Sequence, residues 1–196
     1  VFEITILISN HSIFILNRGS NGGGMTIAHT KFIHLVSNRF VRNQAIVTGG
    51  ALEMLKNKLI IQTDNCFMFN TAGSGSGGSL SLQFAENVIL TSNIYLNNTS
   101  SAVAGTILLQ VVRNTTIFNC KYTGNTALQT GGVLEAHHCN FIEIILCKFF
   151  QNSAKHGGGI LLSFGGSLIY ILNCSFLRNV GSVGGVFKTN NVDTFR

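Results

Sequence analysis

The sequence contains no proline and no tryptophan, and only 10% of its 196 residues are charged. Ordinary globular domains carry roughly 25% charged residues. With 45% hydrophobic residues and so few charges, the chain must be deeply buried or make contact with other protein. No apolar run reaches the ~18 residues that a membrane-spanning helix needs, so the sequence predicts no such segment. Without proline, neither terminus has a proline-rich stop.

Several functional signatures are also missing. The sequence has no GxSxG elbow, no GxxxxGK[ST] loop, no CxxC and no HExxH. The net charge of +6 comes from 13 basic and 7 acidic residues without any basic block, which argues against nucleic-acid binding. The start, VFEITILISN, lacks both the basic region of a signal peptide and an initiator methionine, so we interpret the chain as a slice of a longer or processed protein.

What the sequence does contain is a repeat of about 27 residues, built on FxxN or YxxN. Successive copies are 26, 27, 28, 27, 27 and 27 residues apart. The aromatic residues are Phe14, Phe40, Phe67, Tyr95, Tyr122, Phe149 and Phe176. The asparagines are Asn17, Asn43, Asn70, Asn98, Asn125, Asn152 and Asn179. The glycine pair that follows each copy is Gly23–Gly24, Gly49–Gly50, Gly77–Gly78, Ala104–Gly105 (degenerate), Gly131–Gly132, Gly158–Gly159 and Gly184–Gly185.

The repeat unit reads as strands rather than helices. Stretches such as NTTIFNCKY at 114–122 are β-branched, aromatic and locally alternating. Neither a 3.6-residue period nor the LxxLxLxxN of leucine-rich repeats is present. We therefore predict an all-β fold, a right-handed parallel β-helix (solenoid) of about seven coils. It forms one domain over residues 1–196, about 30 to 35 Å long.

In such a fold, each repeated residue lies above its equivalent in the previous coil. We expect the aromatic rings to point inward and stack as a ladder. Each asparagine, at the bend after a strand, enters the left-handed region or bonds through its amide, including to the next asparagine. The glycines allow a sharp turn where a Cβ would clash or φ must be positive.

Three of the five cysteines follow the same period. Cys120, Cys147 and Cys174 each stand two residues before the aromatic, where earlier coils carry Ser12, Asn38, Asn65 and Asn93. That position shares a face with the ring, so the cysteines are expected to form an inward ladder. Parallel side chains seldom reach the disulfide torsion, which favours free thiols. Cys66 and Cys139 fall outside this ladder.

Two short stretches that resemble functional motifs are explained by the repeat. The HGGG at 156–159 resembles an esterase oxyanion loop, but its last two glycines are a repeat pair. GSGSGG at 73–78 matches GxGxxG, yet it occupies the turn of the 28-residue coil.

His137 and His138, beside Cys139 and Glu135, suggest zinc, but adjacent residues on a strand point to opposite faces. We predict no metal site, with one of these histidines exposed and the other half-buried.

The acidic residues do not form a catalytic pair. Glycoside cleavage by the usual route needs two carboxyls within ~5 to 9.5 Å. Glu53 and Glu135 share a repeat position, but three coils, about 14 Å, separate them. The seven acids are Glu3, Glu53, Asp64, Glu86, Glu135, Glu143 and Asp193. Lys58, Glu86 and Arg113 form one column, interpreted as a surface ion-pair stack. We predict no catalytic residue and no cofactor.

The combination of FxxN with GG[AVI][IL] resembles the repeat of the chlamydial polymorphic outer-membrane proteins, over nearly the whole chain. The strict GGA[ILV] form occurs only at 49–52. The resemblance implies a right-handed β-helix displayed outside the cell, often with an adhesive role. It implies no catalytic residue.

Five Asn-x-Ser/Thr sequons could accept glycans in an exported eukaryotic protein. They are Asn10, Asn97, Asn98, Asn114 and Asn173. Asn97 and Asn98 flank a predicted bend and are the preferred candidates, whereas Asn173 precedes a ladder cysteine and is the weakest.

The sequence favours a non-enzymatic, extracellular or cell-surface structural or adhesive module. Its partners would be further coils or other copies at the uncapped ends, forming a filament, or host or matrix protein or glycans. Outer positions read as mostly Asn, Ser, Thr and Lys, which favours this role. The alternative is a carbohydrate-active or glycan-binding β-helix whose site is completed outside this segment.

Overall fold

The computed structural model is an all-β parallel solenoid, in which each coil adds one strand to each of four sheets. It describes residues 5–165, 168–190 and 194–195. The described residues form strands and bends without a helix, so none of them makes a long apolar helix of the kind that crosses a membrane. Strands are numbered β1 to β29 in chain order.

Two of the four sheets, A and D, have the longer strands. Sheet A contains β1 (Ile6–Asn10), β5 (Phe32–Val36), β9 (Leu59–Thr63), β13 (Asn87–Thr91), β17 (Asn114–Phe118), β21 (Phe141–Ile145), β25 (Leu168–Leu172) and β29 (Thr194–Phe195). Sheet D contains β4 (Met25–Ala28), β8 (Leu52–Leu55), β12 (Leu80–Gln83), β16 (Ile107–Gln110), β20 (Leu134–His137), β24 (Leu161–Phe164) and β28 (Phe187–Asn190).

The other two sheets have shorter strands. Sheet B, which carries the repeated aromatic, contains β2 (Ile13–Ile15), β6 (Arg39–Val41), β10 (Cys66–Met68), β14 (Ile94–Leu96), β18 (Lys121–Thr123), β22 (Lys148–Phe150) and β26 (Ser175–Leu177). Sheet C contains β3 (Arg18–Gly19), β7 (Gln44–Ala45), β11 (Thr71–Ala72), β15 (Thr99–Ser100), β19 (Thr126–Ala127), β23 (Ser153–Ala154) and β27 (Val180–Gly181).

Every strand pairs in parallel with its equivalent in the next coil, so the sequence repeat becomes a spatial stack. Phe67, for example, lies between Phe40 and Tyr95 in sheet B. Sheets of seven strands contain six steps, so the chain makes about six complete turns, close to the predicted seven coils. The all-β parallel β-helix predicted from the repeat is confirmed. Its right-handed sense stays a prediction.

The core runs along the axis of the solenoid. In the five-residue strands of sheet A the second and fourth residues point inward, as Ile33 and Leu35 do in β5. They meet the repeated aromatics of sheet B and the leucines of sheet D in one continuous apolar cluster. Each large apolar side chain buried in this way contributes about 1.5 to 3 kcal/mol relative to exposure.

The outer faces differ from the mostly polar surface that the sequence suggested. Sheet C does present polar residues, among them Thr126, whose hydroxyl lies 3.2 Å from that of Ser153. The outward residues of sheet A are instead largely apolar, as with Phe32, Ile61 and Ile89. Strands that are apolar on both faces produce nearly continuous hydrophobic runs, which hide the alternation in the sequence.

Candidate functional site

The repeated aromatic rings form a single stack through the interior. Neighbouring centroids from Phe14 to Phe176 are 4.6 to 5.1 Å apart and the rings lie within 3 to 11° of parallel. In the middle of the stack, Phe40, Phe67, Tyr95 and Tyr122 are fully buried. Burial in this apolar stack raises the pKa of the Tyr95 and Tyr122 phenols well above the usual value.

The asparagine of each repeat is bonded to both neighbouring coils. In Asn70, the backbone N–H and the side-chain Nδ2 both donate to Oδ1 of Asn98, each at 3.0 Å. The same Nδ2 also donates to the carbonyl oxygen of Phe40 at 2.9 Å. The pattern is repeated from Asn17 to Asn179, and the five asparagines from Asn43 to Asn152 are buried. Each amide therefore satisfies its own groups and the backbone of the bend.

The left-handed conformation belongs to the residue before each asparagine, not to the asparagine itself. Leu16, Arg42, Phe69, Gln151 and Arg178 have φ between 53° and 57°. The two remaining members of the column are Asn97 (φ 51) and Gly124 (φ 64). Of the two roles expected for the repeat asparagine, only the amide bonding is observed, because the turn is completed one residue earlier.

A second ladder of hydrogen bonds runs through the position two residues before the aromatic. Asn38 and Asn65 repeat the amide geometry, and each donates its N–H and Nδ2 to the next Asn Oδ1 at 2.8 to 3.2 Å. Sequence reasoning missed these bonds, although three asparagines at one inward position were a usable signal. Inward polar residues at a bend need partners, and the next coil supplies them.

Cys120, Cys147 and Cys174 continue this second ladder with sulfur in place of the amide. The backbone N–H of Cys120 donates to Sγ of Cys147 at 3.4 Å, and that of Cys147 to Sγ of Cys174 at 3.4 Å. Each thiol donates back to the previous coil, as Cys120 does to the carbonyl of Leu90 at 3.4 Å. The cysteine thus replaces asparagine as both acceptor and donor.

All five cysteines carry free thiols. A hydrogen bond with Cys120 and burial raise the pKa of Cys147 strongly, and burial raises that of Cys174. Cys139, buried at a third bend, has its pKa raised to about 11 by burial. Cys66 is half-buried on the outer side of β10, and burial also raises its pKa. The four thiols whose pKa is raised are therefore poor nucleophiles at neutral pH.

The second glycine of each pair lies where two coils come closest. A Cβ at Gly50, Gly78, Gly105 or Gly132 would overlap the carbonyl oxygen of the equivalent glycine in the next coil. Gly23 occupies the same position, so the first pair is Gly22–Gly23 rather than Gly23–Gly24. The shift arises because Met25, not Thr26, pairs with Leu52.

The HGGG segment belongs to this packing. Gly158 forms a parallel bridge with Gly184, and the N–H of Gly159 donates to the Gly184 carbonyl at 3.0 Å. An oxyanion hole would need such N–H groups to be available, but that of Gly159 is engaged between coils. The GSGSGG segment likewise forms the turn between β11 and β12.

Glu53 and Glu135 are buried on the outer side of sheet D, under the loop that leads into each strand. Glu53 accepts from the hydroxyl of Thr48 at 2.7 Å, and Glu135 from that of Thr130 at 2.6 Å. Glu135 also lies 2.7 Å from Nε2 of His137. Pairing through Ser81 and Leu108 sets the two carboxylates three coils apart, as predicted, which is about 14 Å at strand spacing.

The histidine pair is placed as predicted, His137 half-buried and His138 exposed. Among the residues that the structure describes, no group of three His, Cys, Asp or Glu side chains is arranged to hold a metal ion. Glu3 and Asp193 lie outside the described residues.

A concave surface lies at the bend between sheets D and A. A cleft of about 400 Å³ is lined by Phe84, Ala85, Glu86, Val111, Val112, Arg113, His138 and Asn140. Phe84 and Val111 are 47% and 42% exposed because both occupy left-handed bend positions that turn the side chain outward. The predicted ion-pair stack is wrong, because Lys58, Glu86 and Arg113 are exposed in adjacent coils without an N···O contact within 4.0 Å.

The sequons are divided by burial. Asn98 is fully buried, and both protons of its Nδ2 are donated, to the Phe67 carbonyl and to Asn125 Oδ1. Its selection as a preferred glycan acceptor is therefore wrong. Asn10, Asn97, Asn114 and Asn173 are exposed, so the other preferred candidate is accessible, as is the one ranked weakest.

Comparison of the chain with protein-family models, with curated proteins and with solved structures gave no match.

Proposed function

We propose that the chain is a non-enzymatic structural or adhesive module of an extracellular or cell-surface protein. Its repeat would be of the polymorphic outer-membrane-protein type and its coil right-handed. The observation that carries this proposal is the use of the repeated residues. The ring and amide of each FxxN point inward and bind the next coil, so the 27-residue period encodes a rod rather than a site.

The chemistry of the surface supports this role. Glu53 and Glu135 are each engaged by a threonine and lie three coils apart, which separates them beyond the range of a glycosidase pair. Cys139 and Cys147 are buried inside the solenoid, where a hydrogen bond with Cys120 and burial raise the pKa of Cys147 and burial raises that of Cys139. Every coil also presents the same backbone and amide ladder to its neighbour. Further coils, from this chain or another copy, would add by the same contacts and lengthen the rod.

Electron microscopy of native, unfractionated material tests this role, with an antibody to the chain locating it on intact cells. Surface-bound rods or axial fibres, whose repeat is a multiple of the ~4.8 Å coil rise, are expected. Antibody labelling that appears only after the cells are permeabilised would contradict a surface role. Extracellular N-glycans, if the host attaches them, are expected at Asn10, Asn97, Asn114 or Asn173 and not at Asn98.

A second candidate, glycan binding, is favoured by the cleft beside Phe84. An exposed aromatic ring flanked by Glu86, Arg113 and Asn140 offers an apolar platform with polar groups around it. With one carboxylate in the cleft, this arrangement supports binding rather than hydrolysis. A glycan array probed with the wild type and with Phe84→Ala tests it. Loss of a specific signal in the variant would favour binding, and an array without any signal would contradict it.

A further inference from the structure

The outer face of sheet A is an extended, largely apolar surface of the described coils. It consists of the first, third and fifth residues of each five-residue strand, and we refer to it as outer face A. Thirteen of its twenty-one positions between β1 and β25 carry large apolar or aromatic side chains. They are Ile6, Ile8, Phe32, Val36, Leu59, Ile61, Ile89, Phe118, Phe141, Ile145, Leu168, Tyr170 and Leu172.

Outer face A is continuous because the strands are in register and five residues long. Seven strands at ~4.8 Å spacing and five residues at ~3.3 Å give a footprint of about 34 by 17 Å, nearly 600 Å². Exposed apolar patches of several hundred Å² mark interaction sites. Two such faces in contact would bury about 1,200 Å², the lower limit of a stable interface.

The face carries one base and one acid among its described positions. His34 lies at the centre of β5 and Glu143 at the centre of β21. Both occupy the central column, which runs Ile8, His34, Ile61, Ile89, Thr116, Glu143 and Tyr170. β13, with Ile89, lies midway between them, two strands from each. Glu143 has no ion-pair partner among the described residues of its own chain.

We propose that outer face A binds a second copy of this chain, with the two solenoids antiparallel. The twofold axis lies in the interface, parallel to the strands, and passes over β13. It sets β5 of each copy opposite β21 of the other. His34 of each copy therefore faces Glu143 of the other copy. The same operation pairs Phe32 with Phe141 and Val36 with Ile145.

The alternative twofold axis, along the solenoid, is disfavoured by charge. It would set every strand opposite its own copy, so that the two Glu143 carboxylates would face each other and His34 would face only another imidazole. Like charges that face each other oppose association, whereas complementary ones set the register. At the ~10 Å separation of packed sheets, a histidine and a glutamate on facing strands can meet. The proposal is independent of the surface role proposed above, because it needs only the solenoid.

Sedimentation velocity of the whole chain from about 1 to 200 µM tests the pairing. We expect a concentration-dependent dimer. His34→Glu would place two carboxylates opposite each other and weaken the dimer at least about tenfold, and Glu143→Lys would set like charges opposite each other. The double variant His34→Glu/Glu143→Lys restores complementarity and should return to within about threefold of the wild type. Lys148→Glu, on the exposed outer side of sheet B, is the matched control and should change nothing.

Circular dichroism spectra and thermal midpoints confirm that each variant remains folded. A wild type that stays monomeric at the highest concentration would overturn the proposal and assign outer face A to another occupant, such as a different protein. A dimer that the double variant fails to restore would overturn the antiparallel register. Dimerisation weakened equally by Lys148→Glu would overturn the assignment to this face.

Discussion

Asn70 and Asn98 lie in adjacent coils and are joined by two hydrogen bonds to one oxygen. The backbone N–H and the side-chain Nδ2 of Asn70 both donate to Asn98 Oδ1 at 3.0 Å. Asn98 in turn donates to the Phe67 carbonyl and to Asn125 Oδ1, each at 3.0 Å. The Asn98 side chain therefore makes four hydrogen bonds inside the solenoid and connects three coils.

Replacing Asn98 with alanine is expected to lower the free energy of unfolding by roughly 3 to 5 kcal/mol, because it leaves several buried backbone and amide groups without partners. Asn98→Asp should cost at least as much, since a carboxylate accepts from Asn70 but cannot donate to Phe67 or Asn125. Urea denaturation followed by circular dichroism measures both. Asn114→Ala, which removes an exposed bond to Asn87, is the control and should cost about 0.5 kcal/mol. Equal losses at positions 98 and 114 would contradict the ladder.

The cysteine segment of the second ladder is expected to accept asparagine. Cys120→Asn would extend the amide column beyond Asn93 and leave stability unchanged or raised by up to about 1 kcal/mol. Cys120→Val removes the donor to the Leu90 carbonyl and should lower stability by about 1 kcal/mol or more. Thermal unfolding of the two variants side by side gives the comparison. The interpretation of cysteine as a substitute for asparagine fails if the valine variant is the more stable one.

The closest approach between coils predicts a strong dependence on glycine. Gly78→Ala places a methyl group against the carbonyl oxygen of Gly105, and relief requires the backbone to move. We expect a loss of roughly 3 kcal/mol or more. Gly124→Ala is the matched control, because its Cβ would meet only the mobile amide of Asn97 and the cost is that of a positive φ, about 1 kcal/mol. If both variants unfold at the same urea concentration, the close packing is not what requires glycine.

Alkaline pH is expected to destabilise the solenoid. Burial raises the pKa of Cys139 from 9.0 to about 11, so the folded chain holds a proton that the unfolded chain releases. This contribution is complete below pH 9 and is lost as the pH rises toward 11, by roughly 2 kcal/mol for this thiol. Cys147 and the two buried tyrosines act in the same direction. Urea midpoints at pH 8 and 10.5 measure the loss, and Cys139→Val should reduce it. An unchanged midpoint would contradict burial of these groups.

The spacing of identical residues made the fold and its main ladders predictable from the sequence. A 27-residue period in aromatic, asparagine and glycine positions is compatible with stacked coils and few other arrangements. Local detail was less accessible. The left-handed residue before Asn98 is Asn97, but other coils use Leu16 or Arg42 there, so no residue type identifies the position. The first glycine pair was misplaced by one residue because three consecutive glycines leave the register open.

The surface was harder to predict than the core. In β21, Phe141, Glu143 and Ile145 point outward while Ile142 and Ile144 point inward, so apolar residues occupy both faces. The sequence alone does not separate these sets, and the outer surface was therefore interpreted as polar. The buried sequon at Asn98 shows the same difficulty, since its motif is identical in type to that of exposed Asn114.

Distances between spin labels on the outer column of sheet B test the stacked-coil architecture most directly. Arg39, Lys148, Ser175 and Ile13 are exposed in this column. Paired labels at 39/148, 39/175 and 13/175 are separated by four, five and six coils. The labels are introduced into a Cys66→Ser/Cys174→Asn variant. Pulsed electron paramagnetic resonance should then give label-to-label distances of about 19, 24 and 29 Å, a rise of ~4.8 Å per coil. Distances that do not increase by one strand spacing per repeat would contradict the solenoid.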